Sequence, residues 1–285
     1  MLTVLFKKNR HALGILIFLC FFAFTVFSNN IEAAKGKSAG YSPSAQSVIF
    51  SDSTKVKRLY GKNVDEKVLP ASTTKVMTAL LVLEHLSLDK IVTIGEKPPK
   101  AQPSKILLKP GERYRVADLL LAAVMSSAND ASIALAEAVA GSEWKFVQMM
   151  NQRAKELGCK NTKFANASGL PTKESQYTTA YDMYVIFLQA LKHNFFKKAL
   201  KHKTTTIRSR EGRRITLKSH NKILFMKWRR KLYGKTGYTR KAGSCFVGYI
   251  QKGRSTLVIA IFNCASGRRW QDIKYIVHRY GHIAL

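Results

Sequence analysis

The stretch P-A-S-T-T-K-V-M-T-A-L-L-V-L-E-H, residues 70–85, is the one on which the fold turns. From Ser72 onward Val76, Ala79, Leu80 and Leu83 recur at three- and four-residue spacing, the period of a buried helix. Pro70 marks the entry, because proline is tolerated where a helix starts and not inside it. Ser72 therefore sits at the helix mouth. Residues three apart share a helix face, so the Lys75 amine can reach the Ser72 hydroxyl. Ser72 is either a helix cap or a nucleophile with its base one turn away.

Upstream of this helix, S-V-I-F (47–50) and V-K-R-L-Y (56–60) are β-rich and separated by Ser51-Asp52-Ser53-Thr54, which reads as a hairpin. Downstream, Arg115 to about His193 is mostly helical, with Gly141 and Gly158 stopping two of the helices. Beyond Lys203 the texture is β again: T-T-T-I-R-S before the Glu211-Gly212 turn, then S-C-F-V-G-Y-I and S-T-L-V-I-A-I-F. A last helix is predicted from about Trp270 to Tyr280. The order β, α cluster, β, α predicts an α/β (α+β) fold, with an antiparallel sheet built from both chain ends, flanking helices, and an all-helical lobe at about 99–200. A cleft between lobes is the natural place for a site.

Composition sets outer limits. The 285 residues are 46% hydrophobic, enough for one substantial core, which excludes a disordered chain. Lys plus Arg number 48 against 17 Asp plus Glu, a net +31 that attracts polyanions without naming one. Lys7, Lys8 and Arg10 precede an apolar run from about Ala12 to Phe27, the layout of a secretory signal over residues 1–34. At ~1.5 Å per residue a helix of that run falls short of the ~30 Å hydrocarbon core, which favours removal over a permanent anchor. Ile31-Glu32-Ala33 has a small residue only at its last position, so retention as a tether stays open. In both cases the folded part faces outward, in the periplasm or on the outer face of the cytoplasmic membrane. Residues 35–43 read as a flexible leader and 44–285 as the folded domain. Cys20 goes with the signal; Cys159, Cys245 and Cys264 remain, too few and too odd for a disulfide framework. Cys245 and Cys264 flank a hairpin turning near Lys252-Gly253-Arg254, so a bridge is geometrically open, with buried free thiols the preferred reading.

A serine hydroxyl is a poor nucleophile until a base takes its proton, and a lysine serves only when its pKa is lowered. Burial supplies part of that shift and a second cation more, for which K-T-G at Lys235-Thr236-Gly237 is the candidate. Free backbone N–H groups at the helix mouth can hold the negative oxygen of a tetrahedral intermediate. S-A-N at Ser127-Ala128-Asn129, at a break between helices, offers a hydroxyl for proton relay and an amide for a substrate carbonyl. Each triplet alone is a chance pattern in a chain this long; all three in this order are not.

With these motifs the sequence resembles the serine D-alanyl-D-alanine carboxypeptidases, the low-molecular-weight penicillin-binding proteins, for which S-x-x-K, S-x-N and K-T-G are the recurring set. L-K-P-G-E-R-Y-R-V-A-D-L-L (108–120), S-S-A-N-D-A-S-I-A-L-A-E, A-K-E-L-G-C-K-N-T-K-F-A-N-A-S-G-L and G-K-T-G-Y-T extend the likeness over nearly the whole domain. The resemblance implies Ser72 as the acylated nucleophile, Lys75 as its general base, and Ser127 with Asn129 in proton relay and peptide orientation. It implies Lys235, Thr236 and Gly237 as the strand edge for the substrate, and the N–H groups of Ser72 and Tyr238 as the oxyanion hole. For the arginine that holds the substrate carboxylate, Arg268 is the first candidate and Arg269 the second. The implied partners are a peptidoglycan stem peptide and β-lactams as covalent inhibitors, with no cofactor. Alternatives are endopeptidase action on cross-links, or a non-enzymatic envelope protein binding anionic polymers through its charge.

No Glu-x-x-x-Asn stands where a β-lactamase would carry its deacylating glutamate; Glu174 is nearest, so a β-lactam acyl-enzyme is expected to be long-lived. The chain stops at Leu285, directly after the last predicted helix, so the resemblance implies no extra β domain or amphipathic tail and leaves the N-terminus as the membrane attachment. His278 and His282 have the spacing of a metal pair, but Gly281 intervenes and no acidic partner motif accompanies them, so no metal is expected. The runs R-S-R-E-G-R-R (208–214) and K-W-R-R-K (227–231) lie in no nucleic-acid motif and read as solvated faces.

Overall fold

Strands that are apolar on both faces must be covered on both, and the chain supplies such strands at its two ends. The computed structural model describes residues 41–285; the apolar run at 12–27, Cys20 and most of the leader lie outside the described residues. β1 (Ser47–Asp52) and β2 (Lys57–Lys62) form the first hairpin. A 3-10 turn at Ala71–Thr74 leads into α1 (Lys75–His85). The short pair β3 (Ile91–Thr93) and β4 (Arg113–Arg115) precedes α2 (Val116–Met125), α3 (Asn129–Ala140) and α4 (Glu143–Glu156). After α5 (Ala180–Ala190) and α6 (Asn194–Ala199) come a second hairpin, β5 (Thr204–Arg208) and β6 (Arg214–Lys218), and then β7 (Tyr233–Thr239). β8 (Gly243–Lys252), β9 (Ser255–Cys264) and α7 (Arg269–Gly281) complete the chain.

The main sheet has the order β2-β1-β9-β8-β7, antiparallel throughout, so the first and last strands of the domain meet at its centre as the order of elements predicts. Along β9 the side chains alternate between two cores, as the two-residue strand period requires. Val258, Ala260 and Phe262 join the helices in one core, whereas Leu257, Ile259 and Ile261 meet Ile273, Ile276 and Val277 of α7 in the other. Cys245 lies in the first core and Cys264 in the second, and a bulge breaks the register between Ser244 and Phe246. The two thiols are thus on opposite sides of the sheet, and the described cysteines are all free.

Two features go beyond the sequence pattern. α1 is buried without interruption from Lys75 to Val82, because it runs through the middle of the helices and packs against α2, α3, α4 and α5. β5 and β6 form a sheet of their own. Of their ten residues only Ile207 and Leu217 are buried, so the hairpin has a single thin apolar face and lies over the helical region instead of extending the main sheet.

Candidate active site

Ser72 is held in the 3-10 turn that precedes α1, half-buried between two strongly constrained segments. Pro70 fixes the entry and its carbonyl accepts a hydrogen bond from Thr73 Oγ1 at 2.6 Å. On one side lies Gly237 of β7, where an added Cβ would stand 3.2 Å from the Ser72 nitrogen. On the other lies Gly169, at φ +79°, where a Cβ would fall 1.8 Å from the Ala71 carbonyl oxygen. Only glycine permits this approach.

Lys75 opens α1 one turn on and is fully buried. Its Nζ lies 3.1 Å from Ser72 Oγ and donates to Asn129 Oδ1 and to the Ser168 carbonyl, both at 2.7 Å. Burial, and after it the charge of Lys235, hold this amine well below the ordinary lysine range, against the smaller opposing pull of Asp130 and Glu143. Once neutral, the amine keeps two hydrogens, which the Asn129 and Ser168 oxygens take. Its lone pair is left for the Ser72 hydroxyl. Asn129 is itself fixed, with Nδ2 donating to Gln102 O at 2.9 Å and its backbone N–H to Ser104 O at 2.7 Å.

Ser127 ends the break between α2 and α3 at φ +58°, a left-handed conformation that a serine adopts only under constraint. Lys235 Nζ donates to Ser127 Oγ at 2.8 Å and to Thr236 O at 2.9 Å. Lys235 is 1% exposed, and burial, followed by the charge of Arg269, brings it down to about 7. Lys235 pairs across the ladder with Val247, so it points to the sheet face that bears the helices. β7 is the outer strand of the main sheet, which leaves the far side of its Lys235-Thr236-Gly237 backbone for an extended ligand.

These groups line a cleft of about 860 Å³ whose walls include Ser72, Ser127, Asn129, Thr236, Gly237 and Tyr238. Lys75 and Lys235 lie behind this wall. Of the two candidate arginines, Arg269 lines the cleft and Arg268 does not. Arg269 Nη1 donates to the carbonyls of Gly237 and Cys245, at 3.1 and 2.9 Å, and its guanidinium stacks 4.2 Å from the Trp270 ring. Arg268 precedes the helix as its N-cap. Glu174 does not line this cleft; it borders a separate cavity of about 310 Å³ on the other side of Gly169.

The sequence pattern gave no role to His220 or to the Ser168 carbonyl. His220 lines the cleft, and burial, with Lys235 and Lys75 behind it, pushes its imidazole down to about 4, so it is neutral at pH 7. Nothing local marks this histidine, since its position follows only from how β6 returns to the cleft. The A-N-A-S-G-L segment was a visible signal for Ser168: Asn166 Oδ1 gathers the N–H groups of Ser168 and Gly169, a tight turn that aims the carbonyl at Lys75. Among the described residues no group of three His, Cys, Asp or Glu side chains could hold a metal ion.

An antiparallel sheet packed against helices, with a serine, a dry lysine and a second lysine behind it, has the architecture of the penicillin-binding serine acyltransferases. The chain belongs to the D-alanyl-D-alanine carboxypeptidase family, whose model matches residues 33–266. It is 36% identical over 232 residues to the D-alanyl-D-alanine carboxypeptidase DacF of Bacillus subtilis, a match covering 78% of this chain and 58% of that one. It is 34% identical over 262 residues to DacC of Escherichia coli, covering 88% of this chain and 63% of that one. The chain thus spans about three fifths of these relatives. A solved D-alanyl-D-alanine carboxypeptidase from Mycobacterium tuberculosis superposes with a TM-score of 0.79 at 27% identity, over 89% of this chain and 96% of the other.

Proposed function

We propose that the protein is a serine-type D-alanyl-D-alanine carboxypeptidase that acts on peptidoglycan stem peptides and is acylated by β-lactams. The observation that carries this is the fully buried Lys75 amine 3.1 Å from Ser72 Oγ. Ser72 Oγ attacks the carbonyl of the penultimate D-alanine while its proton passes to Lys75 Nζ. The N–H groups of Ser72 and Tyr238 hold the oxyanion. The C–N bond to the terminal D-alanine then breaks, and its amine takes a proton through Ser127, which Lys235 holds in place. Water hydrolyses the ester on Ser72 and releases the shortened peptide. Asn129 and the Thr236–Gly237 edge orient the peptide, and Arg269, rather than Arg268, faces its terminal carboxylate from the cleft wall.

The substrate places the domain outside the cytoplasm, in keeping with the signal-like residues 1–34; cleavage there or retention as a tether both leave 44–285 facing the cell wall. The position of Glu174 outside the cleft accords with a long-lived β-lactam adduct, because no carboxylate of the cleft wall is set to activate a deacylating water. Mass spectrometry after incubation with a penicillin tests the assignment. One adduct on Ser72, absent in Ser72→Ala, is expected, together with release of D-alanine from a stem pentapeptide. An adduct that survives Ser72→Ala overturns it.

A further inference from the structure

Between Glu211 and Asp272 the chain contains no acidic residue at all, although it contributes the Lys218–Met226 and Thr236–Thr239 parts of the cleft wall. The densest part of this stretch is the loop that joins β6 to β7. Its two ends are tied by one buried side chain: Asn221 Oδ1 accepts from the Ile223 N–H at 3.2 Å, and Asn221 Nδ2 donates to Leu232 O at 2.8 Å. Ile223 and Leu224 anchor the base of the loop in the interior, and Lys231 Nζ donates to the Met226 carbonyl, bracing the far end. The loop is therefore a built projection, set in one shape before anything touches it.

What it projects is unusual for a surface. Phe225 is 45% exposed and Met226 36%, side by side at the rim of the cleft, flanked by exposed Lys222, Lys227, Arg229 and Arg230. None of these four cations enters an ion pair among the described residues. A soluble polyanion would satisfy the charges and leave the phenyl ring and thioether in water. An apolar pair inside a ring of unpaired cations matches instead a surface with anionic headgroups over hydrocarbon, where each cation adds attraction and each apolar side chain leaves water. We propose that the Asn221–Leu232 loop docks on a bilayer containing anionic phospholipids, with Phe225 and Met226 entering the headgroup–acyl boundary and Lys222, Lys227, Arg229 and Arg230 against the phosphates. This attachment is distinct from the N-terminal segment and does not depend on the chemistry at Ser72. It sets the mouth of the cleft against the membrane surface.

Hydrogen exchange on the full chain tests this, read on peptides spanning residues 222–231. Vesicles of phosphatidylcholine alone are compared with vesicles that also contain phosphatidylglycerol. Any embedding by the N-terminal segment is common to both and does not touch the readout. Protection of 222–231 is expected with the anionic vesicles only, weakened by high salt. In Phe225→Ser/Met226→Ser it is lost, and in Arg229→Gln/Arg230→Gln binding through the loop falls by roughly 5-fold per charge. Equal protection by both vesicle types, or by a soluble polyphosphate as well as by vesicles, overturns the proposal. So does a serine double variant that keeps its protection and shows only a raised KM for a soluble peptide, which would assign the pair to the substrate cleft. Penicillin acylation of Ser72 is followed in the same samples, so that a failure of the docking surface is separated from a failure of the catalytic assignment.

Discussion

On the sheet face toward the helices, the core that contains Val247, Val258 and Phe262 encloses two lysines, Lys75 and Lys235, neither more than 1% exposed. On the opposite face Phe50, Ile259, Ile261 and Ile276 pack an equally dry interior whose buried charge, Asp272, lies in the first turn of α7 with a 2.6 Å hydrogen bond from Ser44. The second arrangement is what folding alone selects: a carboxylate at a helix N-terminus with donors around it. The first is opposed by desolvation, since both amines are pushed toward their neutral forms. The same strands thus carry a face that stabilises the fold and a face that gives up stability to hold two amines toward their neutral forms.

The contrast can be broken most severely at Lys75. Lys75→Met keeps the length and removes the amine, and penicillin acylation of Ser72 should fall by at least ~10⁴-fold, because the hydroxyl then has no base. Thermal unfolding should show the variant still folded, since an apolar chain of similar volume replaces a charge that burial disfavours. On the other face Ile259→Ala should do the reverse. It should lower stability by about 2–4 kcal/mol in denaturant unfolding, through the cavity left against α7, and leave the acylation rate of the folded protein unchanged. A loss of acylation rate larger than the loss of folded protein would mean that the two faces are mechanically coupled.

Lys235→Gln sharpens the comparison with a smaller effect. Acylation should drop ~10–100-fold, and the rising limb of its pH profile should move to higher pH, because Lys75 loses the cation that helps to expel its proton. Stability carries the same signature with a definite sign. Lys235 has a folded pKa of about 7 against 10.5 for an ordinary solvated lysine, so the unfolded chain binds more protons between those limits, and stability should rise with pH across that window. In Lys235→Gln that part of the rise disappears. An unchanged Tm–pH slope would show that Lys235 is better solvated than its burial implies.

How far the sequence foretold these features depends on whether a residue's place is set by local spacing or by distant packing. Ser72 and Lys75 are three apart on one helix start, and Ser127 with Asn129 and Lys235 with Gly237 are fixed within single turns or strands, so short-range geometry was enough to nominate them. Arg268 and Arg269 are neighbours at a helix entry, where one residue rotates the side chain by about 100°. Which of them meets the cleft depends on the phase of α7 against the sheet, and no local pattern reports it. β5 reads as β and the Glu211-Gly212 turn is visible, but the return strand β6 (R-I-T-L-K) goes unread, and T-T-T-I-R carries no sign that its hairpin would stand apart; only its thin apolar face, set against the doubly buried β9, explains the separation. The cysteine question was likewise settled by the bulge at Ser244–Phe246, which no reading of residue types supplies.

The two glycines that grip the Ser72 turn also limit what mutation can explore. At Gly169 an added carbon collides with the Ala71 backbone, and at Gly237 it crowds the Ser72 nitrogen, so replacing Gly169 by any other residue must displace the Ser72 turn and replacing Gly237 presses on it, before either alters a ligand contact. On the proposed function, a population under antibiotic selection would find the Gly169 route closed, because it disrupts the turn that carries Ser72. The open routes run through the exposed rim, Phe225, Met226 and Tyr238, where side chains border the cleft without supporting its frame. Adaptive change in this protein is channelled outward, and sequence drift at the rim is where a history of drug exposure would be written.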